Sequence, residues 1–201
     1  FIVGFLIGFI FSFFSLEFYL LMNTKVEKPV IYLYPEEDMA VSVSIDTPFD
    51  MVQSEPYYGK GWNVFATKDS LIDGRYDYLF YEVVGHNYEF ADGGWVVDYY
   101  GLEKWFDKNL FLMGLKGKEI LQFKEYWLDR LPYSNYYKIR VFDPDYLDEN
   151  IKLEISPKED TLIRVMLSFE GLDNYEGLKT PVLTDKERTG FTVVEWGGVI
   201  L

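Results

Sequence analysis

The sequence predicts an α+β chain: a single N-terminal transmembrane helix, then a β-rich, sandwich-like domain covered by two helices. Three observations lead there. An unbroken apolar run opens the chain, short segments of alternating hydrophobicity recur after it, and two stretches near the middle change to helical spacing.

Residues 1–22, FIVGFLIGFIFSFFSLEFYLLM, carry one ionisable side chain, Glu17, and no proline. At about 1.5 Å per residue they reach roughly 33 Å, enough for a hydrocarbon core. Gly4, Gly8 and Ser12 fall at i, i+4 positions and form a small-residue stripe on which a second helix can pack closely. A cleaved signal peptide fits less well, because no basic leader precedes the run and no small-x-small cleavage site follows it. Residues 23–29 then read as a juxtamembrane linker, with Lys25 and Lys28 placed as headgroup anchors.

Residues 30–100 read as an N-terminal β unit. VIYLY at 30–34 is a continuous apolar run ended by Pro35, and Val41, Val43 and Ile45 alternate with serines. Pro48 and Pro56 break the stretch that follows. Trp62, Val64 and Ala66 alternate again, residues 71–74 have turn chemistry, and apolar runs at 76–84 and 95–100 complete the unit.

Residues 101–201 read as an α+β unit packed on it, or as part of one continuous domain. Leu102, Trp105, Phe106 and Leu110 mark one amphipathic helix over 101–113, and Ile120, Phe123, Trp127 and Leu131 a second over 117–131. Gly114 ends the first and Pro132 follows the second. Strands resume over 136–142 and 151–155, become clearest at 163–169, and close with 191–196. A long loop spans 171–190.

Composition narrows function by exclusion. The 201 residues hold 33 Asp/Glu against 19 Lys/Arg, a formal charge of −14, with no basic cluster, so nucleic acid is not an expected partner. Zero cysteines remove thiolate metal sites and cysteine nucleophiles, and a lone histidine removes multi-histidine cages, so no metal and no cofactor is expected. The acidic segment 143–149 lacks the spacing and turn glycine of a calcium loop and reads as a solvated turn region.

Three groups of residues carry the chemistry that is left. Glu82 and Glu195 lie in otherwise apolar strands, where an acid must be paired or protonated. A carboxylate pair is the equipment of glycoside hydrolysis, whereas a bond to an arginine such as Arg140 or Arg164 is the structural alternative. His86, four residues after Glu82, offers an acid or base beside it. Tyr57, Tyr58, Trp62 and Trp196 stand out as candidate contact residues among 17 Tyr, 17 Phe and 5 Trp, as do the loop tyrosines of 133–137.

The segment Lys28–Glu36, KPVIYLYPE, resembles the opening of the exported domain in a scattered group of mostly uncharacterised, largely microbial proteins. The likeness extends through Tyr78–Glu82, the 115–131 helix ending in YWLDRLP, and TGFTVVEWGG at 189–198. The resemblance implies a secreted or membrane-anchored domain. Members frequently carry a cysteine ahead of the KP pair, where this chain has Val26–Glu27, and a tryptophan at the position of Tyr81. It supplies no catalytic roles.

Together these readings describe a non-enzymatic, single-pass membrane-anchored domain making protein–protein contacts in a membrane-associated or surface assembly. Its expected partners are the lipid bilayer and other membrane or surface subunits, and its expected location is the membrane with the domain extracytoplasmic. The alternatives are an extracytoplasmic glycan or cell-wall hydrolase using Glu82 and Glu195, and a carbohydrate-binding module.

Overall fold

A computed structural model describes residues 24–184 and 186–201. Among these residues ten strands form two sheets. They are β1 (Thr24–Tyr34), β2 (Met39–Asp46), β3 (Asp50–Glu55), β4 (Trp62–Ala66), β5 (Leu79–Gly85), β6 (Trp95–Asp98), β7 (Tyr136–Val141), β8 (Lys152–Ser156), β9 (Thr161–Leu172) and β10 (Thr192–Ile200). The larger sheet has the order β3-β5-β1-β10-β9-β7-β6 and the smaller one β4-β2-β8. Every pairing is antiparallel except β9 with β10.

Two helices, α1 (Leu102–Leu112) and α2 (Lys118–Arg130), cover the far face of the large sheet, and a short α3 (Pro144–Asn150) precedes β8. The layers are therefore small sheet, large sheet, helices. Because both faces of the large sheet are covered, its central strands are apolar on both sides. In β1, Ile31 and Leu33 meet Val41, Val43, Trp62 and Val64 of the small sheet, while Val30 and Tyr32 turn toward the helices. The helix side holds much of the aromatic content: Phe123 packs edge-on against Phe106 and Trp196, and Trp127 lies 4.6 Å from Phe169 between ring centres.

The helical periodicity lands within a residue of its expected ends, for reasons visible at the caps. Gly114, at φ +102°, ends α1 with Gly114 N–H bonded to the Phe111 carbonyl and Leu115 N–H to the Leu110 carbonyl, a left-handed C-terminal cap. Leu131 takes an extended conformation before Pro132, which stops α2. The motif segments KPVIYLYPE and TVVEWGG are neighbouring strands: Val30 pairs with Trp196 and Ile31 with Glu195. A Cβ on Gly197 would come 2.9 Å from Pro29 Cα, and one on Gly198 would come 2.4 Å from the Leu167 carbonyl oxygen. Both glycines are thus required by close backbone approach.

Several expectations are corrected. The span expected over 1–22, with Gly4, Gly8 and Ser12, lies outside the described residues. Among the described residues no helix is long and apolar enough to cross a membrane. The helices number 11, 13 and 7 residues, and their apolar side chains are buried against the sheets. A membrane-anchored fold, the bilayer and membrane subunits as partners, and a single-pass location accordingly find no support in the structure. Residues 24–29 of the expected 23–29 linker instead belong to β1, which pairs with β5 and β10. The stretch between Pro48 and Pro56 contains β3, an outer strand, where flanking prolines do no harm. The acidic segment is not a turn region but α3: Asp143 Oδ1 accepts from the Asp145 and Tyr146 amides, and Pro144 occupies the first turn.

The two expected units interleave. The large sheet takes β1, β3, β5 and β6 from one and β7, β9 and β10 from the other, and β8 joins β2 in the small sheet.

Candidate functional site

Glu195 is fully buried (0 % exposed) between the two sheets, accepting 2.6 Å bonds from Tyr81 Oη and Arg164 Nε. Arg164 also donates to the Ile151 carbonyl at 2.7 Å. Burial pushes the Tyr81 hydroxyl well above its ordinary value, and the Glu195 charge pushes the same way. Burial works against the Arg164 charge, but Glu195 outweighs it and holds the guanidinium above its usual value.

Glu82 is also buried, yet its neighbours in β5 settle its direction. Leu79, Tyr81 and Val83 face the small sheet with Glu195, so Glu82 points to the helix side, where Lys25 Nζ lies 2.9 Å away. The two acids occupy opposite faces of one sheet and share no cleft. His86 is apart from both. It follows β5, packs edge-on against Phe49, and lines a cleft of about 500 Å³ with Glu89, Asp143, Asp145 and Glu149. Among the described residues no group of acids and histidine has metal-binding geometry.

Of the four aromatic contact candidates, three serve the interior. Trp196 is enclosed in the helix-side core, Trp62 is buried and donates its indole N–H to the Pro56 carbonyl at 2.8 Å, and Tyr58 Oη bonds the Ile45 backbone. Tyr57 is 88 % exposed.

The structure gathers exposed tyrosines elsewhere, at the end of the large sheet where β6 stops. The Asp98 carboxylate accepts from Gly101 N–H at 3.0 Å and caps a 3-10 turn, Tyr99–Gly101. That turn is tied to the 133–136 segment by Tyr99 N–H to the Asn135 carbonyl, and the segment is tied to the end of β9 by Ser134 and Asn135. Tyr99, Tyr100 and Tyr133 come together as a result, with ring centres 5.1–6.4 Å apart. Tyr100 is 83 % exposed and Tyr133 65 %. The loop tyrosines of 133–137 pointed to part of this cluster. Its other half follows β6 and carried no separate signal.

Beside the cluster a groove of about 480 Å³ runs between β6 and α1, lined by Trp95, Val97, Trp105, Leu112, Pro181 and Leu183, with Lys104 and Lys108 on its rim.

Fold and surface define a class: a three-layer, β-rich domain whose buried Glu82 and Glu195 each pair with a cation, and whose surface carries the cleft beside His86, an aromatic cluster and its adjoining groove. No family model matches the chain, and no solved structure matches it. It is similar to a protein described as an uncharacterized protein in the bglA 3' region of Butyrivibrio fibrisolvens, with 51 % identity over 61 residues, 27 % of this chain. The chain spans 64 % of that relative's length.

Proposed function

We propose that this chain is a non-enzymatic recognition domain that contacts a protein partner through the tyrosine end of its large sheet, and that it belongs with the proteins carrying the KPVIYLYPE strand. The observation carrying this reading is the cluster of Tyr99, Tyr100 and Tyr133, where two of three large amphipathic rings stand mostly in solvent. Tyrosine is enriched at the energetic centres of protein interfaces because it offers wide contact area with little rotamer entropy to lose.

Ring orientation favours a protein over a sugar. A pyranose lies flat on one aromatic face or on a coplanar row, whereas these rings meet at 54°, 63° and 86° and present edges and corners. The hydrolase reading is disfavoured because Glu82 and Glu195 face opposite sides of the sheet, each engaged by its own cation.

The test compares proteins captured from extracts of the producing cells by immobilised wild type, by Tyr100→Ala/Tyr133→Ala, and by Phe65→Ala, an exposed aromatic on the small sheet. The expected result is a partner held by wild type and Phe65→Ala and weakened more than about tenfold by the double variant. Equal capture by all three, or binding to a glycan panel in place of protein, would overturn the proposal.

A further inference from the structure

The large sheet has two outer strands, and they are not protected alike. β3 carries a bulge at Val52 and ends at Pro56, features that discourage another strand from pairing. β6 has neither. Its residues 95–98 pair with β7, flanked on the outer side by the Gly94 N–H bond to the Lys179 carbonyl and by the 3-10 turn that starts at Asp98. Because Tyr99 N–H bonds the Asn135 carbonyl across this pair, alternation turns the N–H and C=O of Val96 outward along the groove between those two ends.

The groove has a definite chemistry. Its wall includes Trp105, only 8 % exposed, with ring centre 5.1 Å from Trp95 and an indole N–H that meets no acceptor among the described residues. Its rim carries Lys104 and Lys108, both exposed and, among the described residues, neither in an ion pair, in a chain whose net charge is −14. Their neighbours Glu103 and Asp107 are engaged instead by Lys124. Residues i and i+4 on a helix are about 6 Å apart along its axis, and residues i and i+2 on a strand about 6.7 Å. Alternate side chains of an extended segment thus match the lysine spacing.

The geometry points to strand addition: the β6 groove takes an extended acidic segment of a protein partner, paired to the β6 backbone with alternate carboxylates on Lys104 and Lys108. This mode gives affinity through main-chain bonds and selectivity through the side chains of one face. It rests on the protein-contact function proposed above and names the part of the partner that is bound.

The probe is a fluorescein-labelled hexapeptide of alternating glutamate and valine, followed by anisotropy with the full chain. Two controls accompany it: lysine in place of glutamate, and the glutamate peptide N-methylated at alternate residues. Saturable binding is expected for the unmodified glutamate peptide alone, with slowed hydrogen exchange at the amides of β6. Lys104→Glu/Lys108→Glu, at exposed positions and checked for an unchanged thermal melt, is expected to weaken it at least about tenfold. Failure of the glutamate peptide to bind, equal binding of the lysine or N-methylated peptide, or self-association of the chain through β6 would overturn strand addition. The tyrosine variant separates this result from the broader reading. Loss of partner capture on Tyr100→Ala/Tyr133→Ala, with no peptide binding to wild type, would leave protein contact standing and remove the β6 mode alone.

Discussion

Glu195 is tolerated between two apolar layers because Tyr81 and Arg164 each meet one of its oxygens. Removing one partner of such a pair leaves an uncompensated buried charge, so Arg164→Met is expected to destabilise the domain by about 3–5 kcal/mol. Removing both charges, as Arg164→Met/Glu195→Leu, is expected to cost less than Arg164→Met alone, although Tyr81 then loses its acceptor. Urea denaturation of the three proteins checks this, and a double variant at least as unstable as Arg164→Met would contradict it. The sequence showed that an acid at 195 needs a partner and offered Arg140 or Arg164, of which the structure uses Arg164. It did not show that Glu82 lies on the other face. Alternation relates side chains within one strand, but β1 stands between β5 and β10, and no pattern in any of the three fixes their relative facing. The pairings of Glu27 with Arg130 and Glu119 with Arg188 were equally hidden, because their partners lie 103 and 69 positions away.

Elements with a strong period were legible, and those defined by context were not. α1 and α2 announce themselves through apolar positions three and four apart, and β9 through strict alternation. α3 was missed although Asp143–Pro144 is a cap followed by a first-turn proline, because its seven residues offer too few turns for a period to emerge. The 171–190 loop had no period to read, yet it is pinned. Arg188 grips Glu119 through its two terminal guanidinium nitrogens, one bond measuring 2.8 Å, and also bonds the Gly114 carbonyl at the helix turn. Arg188→Ala is expected to release this loop and leave Glu119 buried without its cation, with only the Lys116 N–H on its carboxylate, costing toward the lower end of about 3–5 kcal/mol because water can enter the vacated site. Limited proteolysis reads the outcome. Early cleavage within 171–190 in the variant, with α1 and α2 intact by mass, is the expected pattern, and an unchanged digestion profile would argue that other contacts hold the loop.

At the scale of the whole molecule the sequence suggested two textures, strands before Gly101 and helices with strands after it, and left open whether they were two units or one. The topology explains why composition cannot decide. β1 lies between β5 and β10, so one neighbour comes from each half, and β2 lies between β4 and β8 in the same way. A chain ending at residue 100 would keep β3, β5 and β1 but expose the β10-facing edge of β1, and would leave Val30 and Tyr32 without the helices that cover them. A chain beginning at residue 101 would hold β9 and β10 with β10 open along its β1 side, and β8 with no strand to pair. Three paired strands with one covered face are near the minimum for independent folding, and here the covering layer of each half comes from the other. Fragments 24–100 and 101–201 are therefore expected to lack fixed tertiary structure when made separately, by near-ultraviolet circular dichroism, and to recover it only when mixed. The intact chain is expected to unfold in one transition, with tryptophan fluorescence and far-ultraviolet signals coincident in urea. Because Trp62 reports the sandwich core and Trp127 and Trp196 the helix-side core, two separated transitions would mean that the large sheet does not bind its two covering layers into one cooperative unit.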